Sequence, residues 1–250
     1  MAAAPVMPAP EPIALSEGAR LIDTFVAPRK TFADLRRNAN WFVPFLLLSV
    51  MSLIFVYTVD QKIGFPKVAE NQVQASPKAS QRIEQMPADQ REHAMQSQAA
   101  ILRYFSYAYP AVILLWNLMI AAILFATFKF AAGADLKFKR SLAVVMYASL
   151  PLLGKSLLAA LAVVAGVSAD SFRFQNPVAT NPGYFLTPAD SPLLYNLASA
   201  LDIFMIWTLI LTALGFTYVS KVKRSTALAV VFGWYFVFAV GSAGLGAMFS

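Results

Sequence analysis

LAVVMYASLPLLGKSLLAALAVVAGV, Leu142 to Val167, is the stretch whose reading decides the fold. It is apolar over far more residues than a strand uses, and it carries one charge, Lys155. The hydrocarbon core of a bilayer takes about 20 predominantly apolar residues per helix, so this run predicts a membrane-spanning helix. Four further runs bounded by charged residues have the same character: Phe42 to Val59, Phe105 to Phe128, Leu193 to Val219 and Ala227 to Phe249. The expected fold class is all-α, a polytopic helical bundle with five transmembrane helices.

Composition leads to the same place. The 250 residues are 58% hydrophobic and 13% charged, with a mean hydropathy of +0.60. Soluble domains average roughly 45–50% apolar and about 25% charged residues. Only Lys155 and Asp202 among the charged residues fall within the five runs. The absence of cysteine removes disulfides, thiolate metal sites and cysteine nucleophiles, and the single histidine, His93, cannot build a His-rich metal site. No Ser/His/Asp grouping or carboxylate pair at a working spacing can be assembled. The chain reads as a non-enzyme without a cofactor or metal.

The net charge of +7 would suggest nucleic acid in a soluble protein. Here it is an orientation signal, because Lys and Arg in short loops accumulate on the cytoplasmic side. Arg20, Arg29, Lys30, Arg36 and Arg37 precede the first run; Lys129, Lys137, Lys139 and Arg140 follow the second; Lys221, Lys223 and Arg224 follow the fourth. All of the net charge lies on these segments. The expected topology is N-terminus inside and C-terminus outside in a cell membrane, with anionic headgroups as a partner and no nucleic acid.

The segments outside the runs have separate characters. Residues 1–15 are Ala/Pro-rich and read as a disordered cytoplasmic tail rather than a targeting peptide. Residues 16–41 carry Leu21, Ile22, Phe25 and Val26 at helical spacing, a break at Pro28, and a second apolar group in Phe32 and Leu35. Because Arg29, Lys30, Arg36 and Arg37 surround that second group, the segment is expected to be an amphipathic helix lying on headgroups. The first external loop, 60–104, is unbroken helix former from Ala88 to Arg103 and predicts a helical hairpin, or a helix extending the second span. The second external loop, 168–192, contains Asn-Pro at Asn176 and at Asn181 and is expected to lie against the outer headgroups.

Lys155 and Asp202 are the sharpest candidates for a site, since an ionisable group at mid-bilayer costs at least a few kcal/mol unless paired or solvated. Counted from the run ends at 1.5 Å per residue, they lie about 18 Å and about 14 Å deep, and Asn117 in the second span is at a similar depth. The expectation is a Lys155–Asp202 ion pair with Asn117 nearby, either a structural register or an ion or substrate site. Pro110 and Pro151 fall within runs, and Pro151 with Gly154 predicts a kink just before Lys155. The GSAGLG stretch, Gly241 to Gly246, lacks a nucleotide-loop spacing; Ser242 and Gly246, four apart, predict a small helix-packing face.

Three stretches carry a family resemblance. APRKTFADLRRNANWFVPFLL, Ala27 to Leu47, is similar to a Pro-x-x-x-Phe segment followed by Trp and Pro at a first span. FAAGADLKFKRSLAVVMYASLP, Phe130 to Pro151, resembles a Gly-containing cytoplasmic loop leading to Tyr and Pro in a third span, and LDIFMIWTLILTALGF, Leu201 to Phe216, resembles an Asp-x-Phe-x-x-Trp pattern with a later Gly. Together they resemble the Yip family of five-span proteins, named for interaction with Ypt/Rab GTPases, in its bacterial branch, over residues 20 to 250. The resemblance implies a membrane protein without an assigned reaction. GTPase binding is not carried over, because the basic tail is short and Ala/Pro-rich where eukaryotic members use their N-terminal regions, and the long first loop is a further departure. The expected role is a scaffold or membrane-organising protein that works through helix contacts, with other membrane proteins or its own copies, and through the basic residues Arg29, Lys30, Arg36, Arg37, Lys137, Lys139, Arg140, Lys221, Lys223 and Arg224. The alternative is a small-solute or ion transporter using Asn117, Lys155 and Asp202.

Overall fold

Two short amphipathic helices precede the first span. The structure, a computed structural model, describes residues 14–249, with side chains to Gly246. The expected tail of residues 1–15 therefore lies outside the described residues except for 14 and 15. Ser16 caps α1 (Glu17–Val26) by accepting from the Ala19 N–H at 3.1 Å, and Pro28 opens α2 (Pro28–Asp34) at a position that needs no N–H. The first span is α3 (Phe42–Lys62). Helices α4 (Phe65–Gln74), α5 (Pro77–Glu84) and α6 (Ala88–Tyr107) form the first long loop, and α6 continues through a break at Ala108 into α7 (Tyr109–Ala126). A π-helical turn, Thr127–Ala131, ends that span.

The third span is broken where the proline demands it. Helix α8 (Phe138–Ala148) stops, Ser149 and Leu150 form a turn, and α9 (Pro151–Val164) begins with Pro151 in its first turn. The second long loop contains a 3₁₀ turn, Pro182–Phe185, and then α10 (Pro192–Ser199). The last two spans are α11 (Ile203–Ser220) and α12 (Arg224–Phe249). Five segments among the described residues are long and apolar enough to cross a membrane: Phe42–Lys62, Tyr109–Ala131, Phe138–Val164, Ile203–Ser220 and Arg224–Gly246.

The protein core lies between α2, α7, α8 and α11. Every residue of α8 from Ser141 to Ala148 is buried, Phe128 stacks on Phe216 with ring centres 4.5 Å apart, and Phe32 and Leu35 are wholly enclosed. Here the structure corrects the expectation for residues 16–41: the Phe32 and Leu35 strip packs into protein instead of facing headgroups. Gly215 explains how. A Cβ on Gly215 would lie 2.5 Å from Val144 Cγ1 and 3.0 Å from the Phe32 ring, so only glycine lets α2 and α8 close onto α11 together. The apolar residues of α1 divide differently, with Ile22 and Val26 exposed and Phe25 edge-on to Trp207.

A second, smaller core forms at the opposite end of the bundle. Val56, Val59, Phe65, Val68, Val163 and Phe172 enclose one another, with Phe174 stacked on Phe55. The second long loop is thus folded over α4 rather than spread on the headgroups, and three contacts fix it: the Asn71 amide donates to the carbonyls of Ala169 and Phe172, and Lys67 pairs with Asp170 at 2.7 Å. Phe185 remains exposed.

Two expected packing positions move. Pro110 sits in the first turn of α7, at the very start of the second span, so it marks the α6–α7 break instead of kinking the helix interior. Ser242 is exposed and donates to the Ala239 carbonyl; the buried small residue of that face is Ala243, and Gly246 meets α10 where a Cβ would come 2.8 Å from the Asn196 amide. Gly154 makes room for α11, with Phe204 Cε1 2.9 Å from where its Cβ would be.

Gly215→Ala is expected to destabilise the protein by about 1–3 kcal/mol, the usual range for overpacking. Gly233→Ala, on the same bundle with open space around it, is the control and should be neutral or slightly stabilising. Thermal unfolding in detergent micelles reads the difference; equal unfolding temperatures for both variants would remove Gly215 from the account.

Candidate functional site

Asp202 stands one residue before α11, in extended backbone, and its side chain caps the helix. Oδ1 accepts from the N–H groups of Phe204 at 3.0 Å and Met205 at 3.2 Å. Oδ2 accepts from Lys155 Nζ at 2.8 Å, from the Thr180 hydroxyl and from the Asn181 amide at 3.4 Å. The pair expected from the sequence is present, but its setting differs. The run Leu193 to Val219 is not one helix: it breaks at Ala200–Asp202, so Asp202 lies at a helix start and not nine residues deep. Lys155 is the member within a span. Its aliphatic stem lets the ammonium reach the cap, and its side chain keeps 26% exposure against 5% for Asp202.

Asn117 belongs to a different layer. Its amide donates to the Ile113 carbonyl at 2.8 Å and its oxygen accepts from Ser149 at 3.2 Å. Ser149 is free to turn toward α7 because it occupies the break before Pro151, six residues from Lys155 and so about 9 Å along the axis. Lys155 and Asp202 come together; Asn117 does not join them.

The partners that sequence reasoning missed come from the second long loop. Asn176 and Asn181 exchange amide hydrogen bonds at 3.1 and 2.8 Å, Asn181 also accepts from the Tyr184 N–H, and the Ile203 N–H donates to the Thr180 carbonyl at 3.1 Å. Tyr235 of α12 donates to the Ala200 carbonyl at 2.6 Å. These contacts turn the two Asn-Pro dipeptides into a polar plate that closes one end of the bundle around Asp202.

The basic end has its own buried network. Arg20, 2% exposed, donates through Nε to Asp34 at 2.7 Å and through Nη1 to Glu17 at 3.0 Å, while the Tyr147 hydroxyl donates to Glu17 at 2.7 Å. Thr24 and Thr31 both donate to the Arg20 carbonyl. Burial works against the Arg20 charge, but the hydrogen bond and charge of Asp34, with Glu17, outweigh it and hold the guanidinium above its ordinary value. In the sequence Arg20 counts as a topology charge, and its place three residues after Glu17 is the signal that points to a pair. The network clamps α1 and α2 to the third span. Arg29, Lys30, Arg36, Arg37, Lys137, Lys139, Lys221, Lys223 and Arg224 remain exposed, and Arg140 is half-buried with its guanidinium on the Arg36 carbonyl at 2.8 Å. Among the described residues no three His, Asp or Glu side chains gather where a metal could be held.

The sequence model of the Yip1 domain matches residues 22–245, which take in both α2 and the capped start of α11. The chain belongs to the Yip1 family. Neither a curated protein nor a solved structure matches it. The Yip1 match takes in both long loops and the spans, so the polar plate around Asp202 lies within it, as do Asp34 and Tyr147, whereas Glu17 and Arg20 precede the matched residues.

Removing the cap and the charge separately distinguishes Asp202's two tasks. Asp202→Asn retains a side-chain acceptor for the first-turn N–H groups and loses the charge on Lys155; Asp202→Ala loses both and is expected to cost about 1 kcal/mol more. Lys155→Met combined with Asp202→Asn should recover part of the Asp202→Asn loss, since it removes the unpaired ammonium. Thermal unfolding of the three variants and the wild type in one detergent checks the order, and equal loss for Asn and Ala would show that the cap contributes nothing.

Proposed function

We propose that this multi-pass Yip1-family protein is a non-enzymatic membrane organiser: it holds a fixed helical bundle in the cell membrane, which is the inner membrane if the cell is Gram-negative, and presents basic side chains at its cytoplasmic end to anionic headgroups and to other membrane proteins. The N-terminus lies inside and the C-terminus outside in this reading, supported by the gathering of twelve Lys and Arg residues in the three segments at one end of the bundle.

The observation that carries the reading is the saturation of Asp202. Both carboxylate oxygens are engaged, by two backbone N–H groups, Lys155, Thr180 and Asn181. A transport site must release and rebind its cargo, and a carboxylate that caps a helix and anchors a loop has no lone pair left for an ion. Asn117, committed to Ser149 and Ile113, adds no second ligand beside it. The pair is a structural register. The enclosure of Phe32 and Leu35 favours the same conclusion at the other end, since it turns α1 and α2 into a fixed platform rather than a free arm for a GTPase, with Arg29, Lys30, Arg36 and Arg37 pointing outward.

Reconstitution separates this from transport. Liposomes containing the protein should show no ion or small-solute flux above empty liposomes, for the wild type and Asp202→Asn alike. Crosslinking in the native membrane should capture partners or second copies, and replacing Arg29, Lys30, Arg36 and Arg37 by Gln should reduce that capture several-fold. Flux that disappears in Asp202→Asn contradicts the proposal.

A further inference from the structure

The basic end contains a cavity of about 520 Å³ between the π turn after α7, the start of α8, and the link from α11 to α12. That volume is within the roughly 300–1,000 Å³ of small-molecule sites. Four cations line it, Arg36, Arg140, Lys221 and Lys223, against one carboxylate, Asp135. Cations scattered on loops are usually a solvated surface, but here three backbone features bring these four around one space. The Arg140 guanidinium is anchored on the Arg36 carbonyl at 2.8 Å, which fixes its fork and joins α2 to α8. Lys221 has a φ of 58°, the left-handed turn that stops α11 and, within two residues, reverses the chain into α12. The 26-residue α12 then starts at Arg224 beside the cavity, with Thr226, in its first turn, on the wall.

We infer that this cavity binds a phosphate monoester carried on the headgroup of an anionic membrane lipid. Phosphate suits the walls: planar guanidinium forks and lysine ammoniums donate to phosphoryl oxygens in charge-assisted hydrogen bonds, and the first-turn N–H groups and dipole of a long helix favour an anion. The excess of cations over the single carboxylate favours a doubly charged monoester over a singly charged diester. The lipid origin follows from height. Ala131, Phe138, Ser220 and Arg224, which lie in the chain beside or among the lining residues, are ends of four apolar segments, so the cavity is level with headgroups and open at the boundary where their phosphates lie. The inference rests on the membrane reading of the basic end and adds a specific site to it. It uses Lys221 and Lys223, which the partner-capture experiment leaves intact, so either can fail alone.

Lipid retention on the full chain tests it. The protein is extracted in mixed micelles containing phosphatidylcholine with phosphatidic acid or phosphatidylglycerol, and bound lipid is counted by native mass spectrometry. Phosphatidic acid should be retained in preference to phosphatidylglycerol, and Lys221→Asn with Lys223→Gln should lower its retention by roughly thirtyfold, in proportion to the two charges removed near the headgroup. Asn at 221 tolerates the left-handed backbone, and both side chains are exposed, so the fold is spared. Lys62→Gln with Arg82→Gln, exposed cations at the opposite end of the bundle, should leave retention unchanged. Equal retention of the two lipids, equal loss in both double variants, or displacement of phosphatidic acid by excess inorganic phosphate at matched ionic strength overturns the proposal.

Discussion

A single carboxylate at Asp202 meets three demands that no neighbouring residue could meet for it. The first turn of α11 presents N–H groups with no helical partner, Lys155 brings an ammonium into an apolar bundle, and the second long loop must attach to the end of the spans. One side chain answers all three: it caps α11, neutralises Lys155 from α9, and receives Thr180 and Asn181 from the loop. Because α9 also packs along α3, the position of the first span relative to the fourth passes through this contact. Charges in a membrane domain are usually read as sites of action; here the charge completes backbone hydrogen bonding where the helix ends.

The two ends of the bundle are built on different principles. At the Asp202 end, long loops fold back and bond to one another, as in the Asn176–Asn181 pair and the Asn71 bonds to the opposite loop, and their many exposed charges of both signs leave the two loops together with no net charge. At the other end, buried ionic contacts are used to fix backbone, with Arg20 held by Asp34 and Glu17 and Glu17 reached by Tyr147, while most of the cations stay outside. The enclosed network makes α1 and α2 part of the domain. The exposed cations above it then face a surface of fixed shape, which is what selective contact with headgroups or partners requires.

Much of this was legible in the sequence because hydrocarbon thickness imposes run length, and run length survives any detail of packing. The first, second, third and fifth runs lie within a few residues of their helices, and the break at Pro151 follows from a ring that cannot donate. The fourth run misled for a physical reason. Leu193 to Leu201 is apolar without proline or glycine, so nothing in hydropathy shows that α10 and α11 are separate helices; the signal was Asp202 itself, a favoured N-cap residue directly before a long apolar run. Asn117 misled because depth counted along two helices ignores the turn at Ser149, which supplies a nearer partner. Phe32 and Leu35 misled because a cation-flanked apolar strip looks the same whether lipid or α11 covers it, and the deciding residue, Gly215, lies far away in the chain.

The central claim, that Asp202 marks the water-facing start of a span rather than its middle, can be tested by thiol labelling, since the natural chain has no cysteine. Leu201 and Ile210 are similarly exposed at 59% and 43%, one at the cap and one mid-helix. With a membrane-impermeant maleimide on intact membranes, Leu201→Cys should be modified readily and Ile210→Cys should resist, because the reaction needs a hydrated thiolate. If both resist until the membrane is dissolved, Asp202 lies within the hydrocarbon and its role as a boundary cap is wrong.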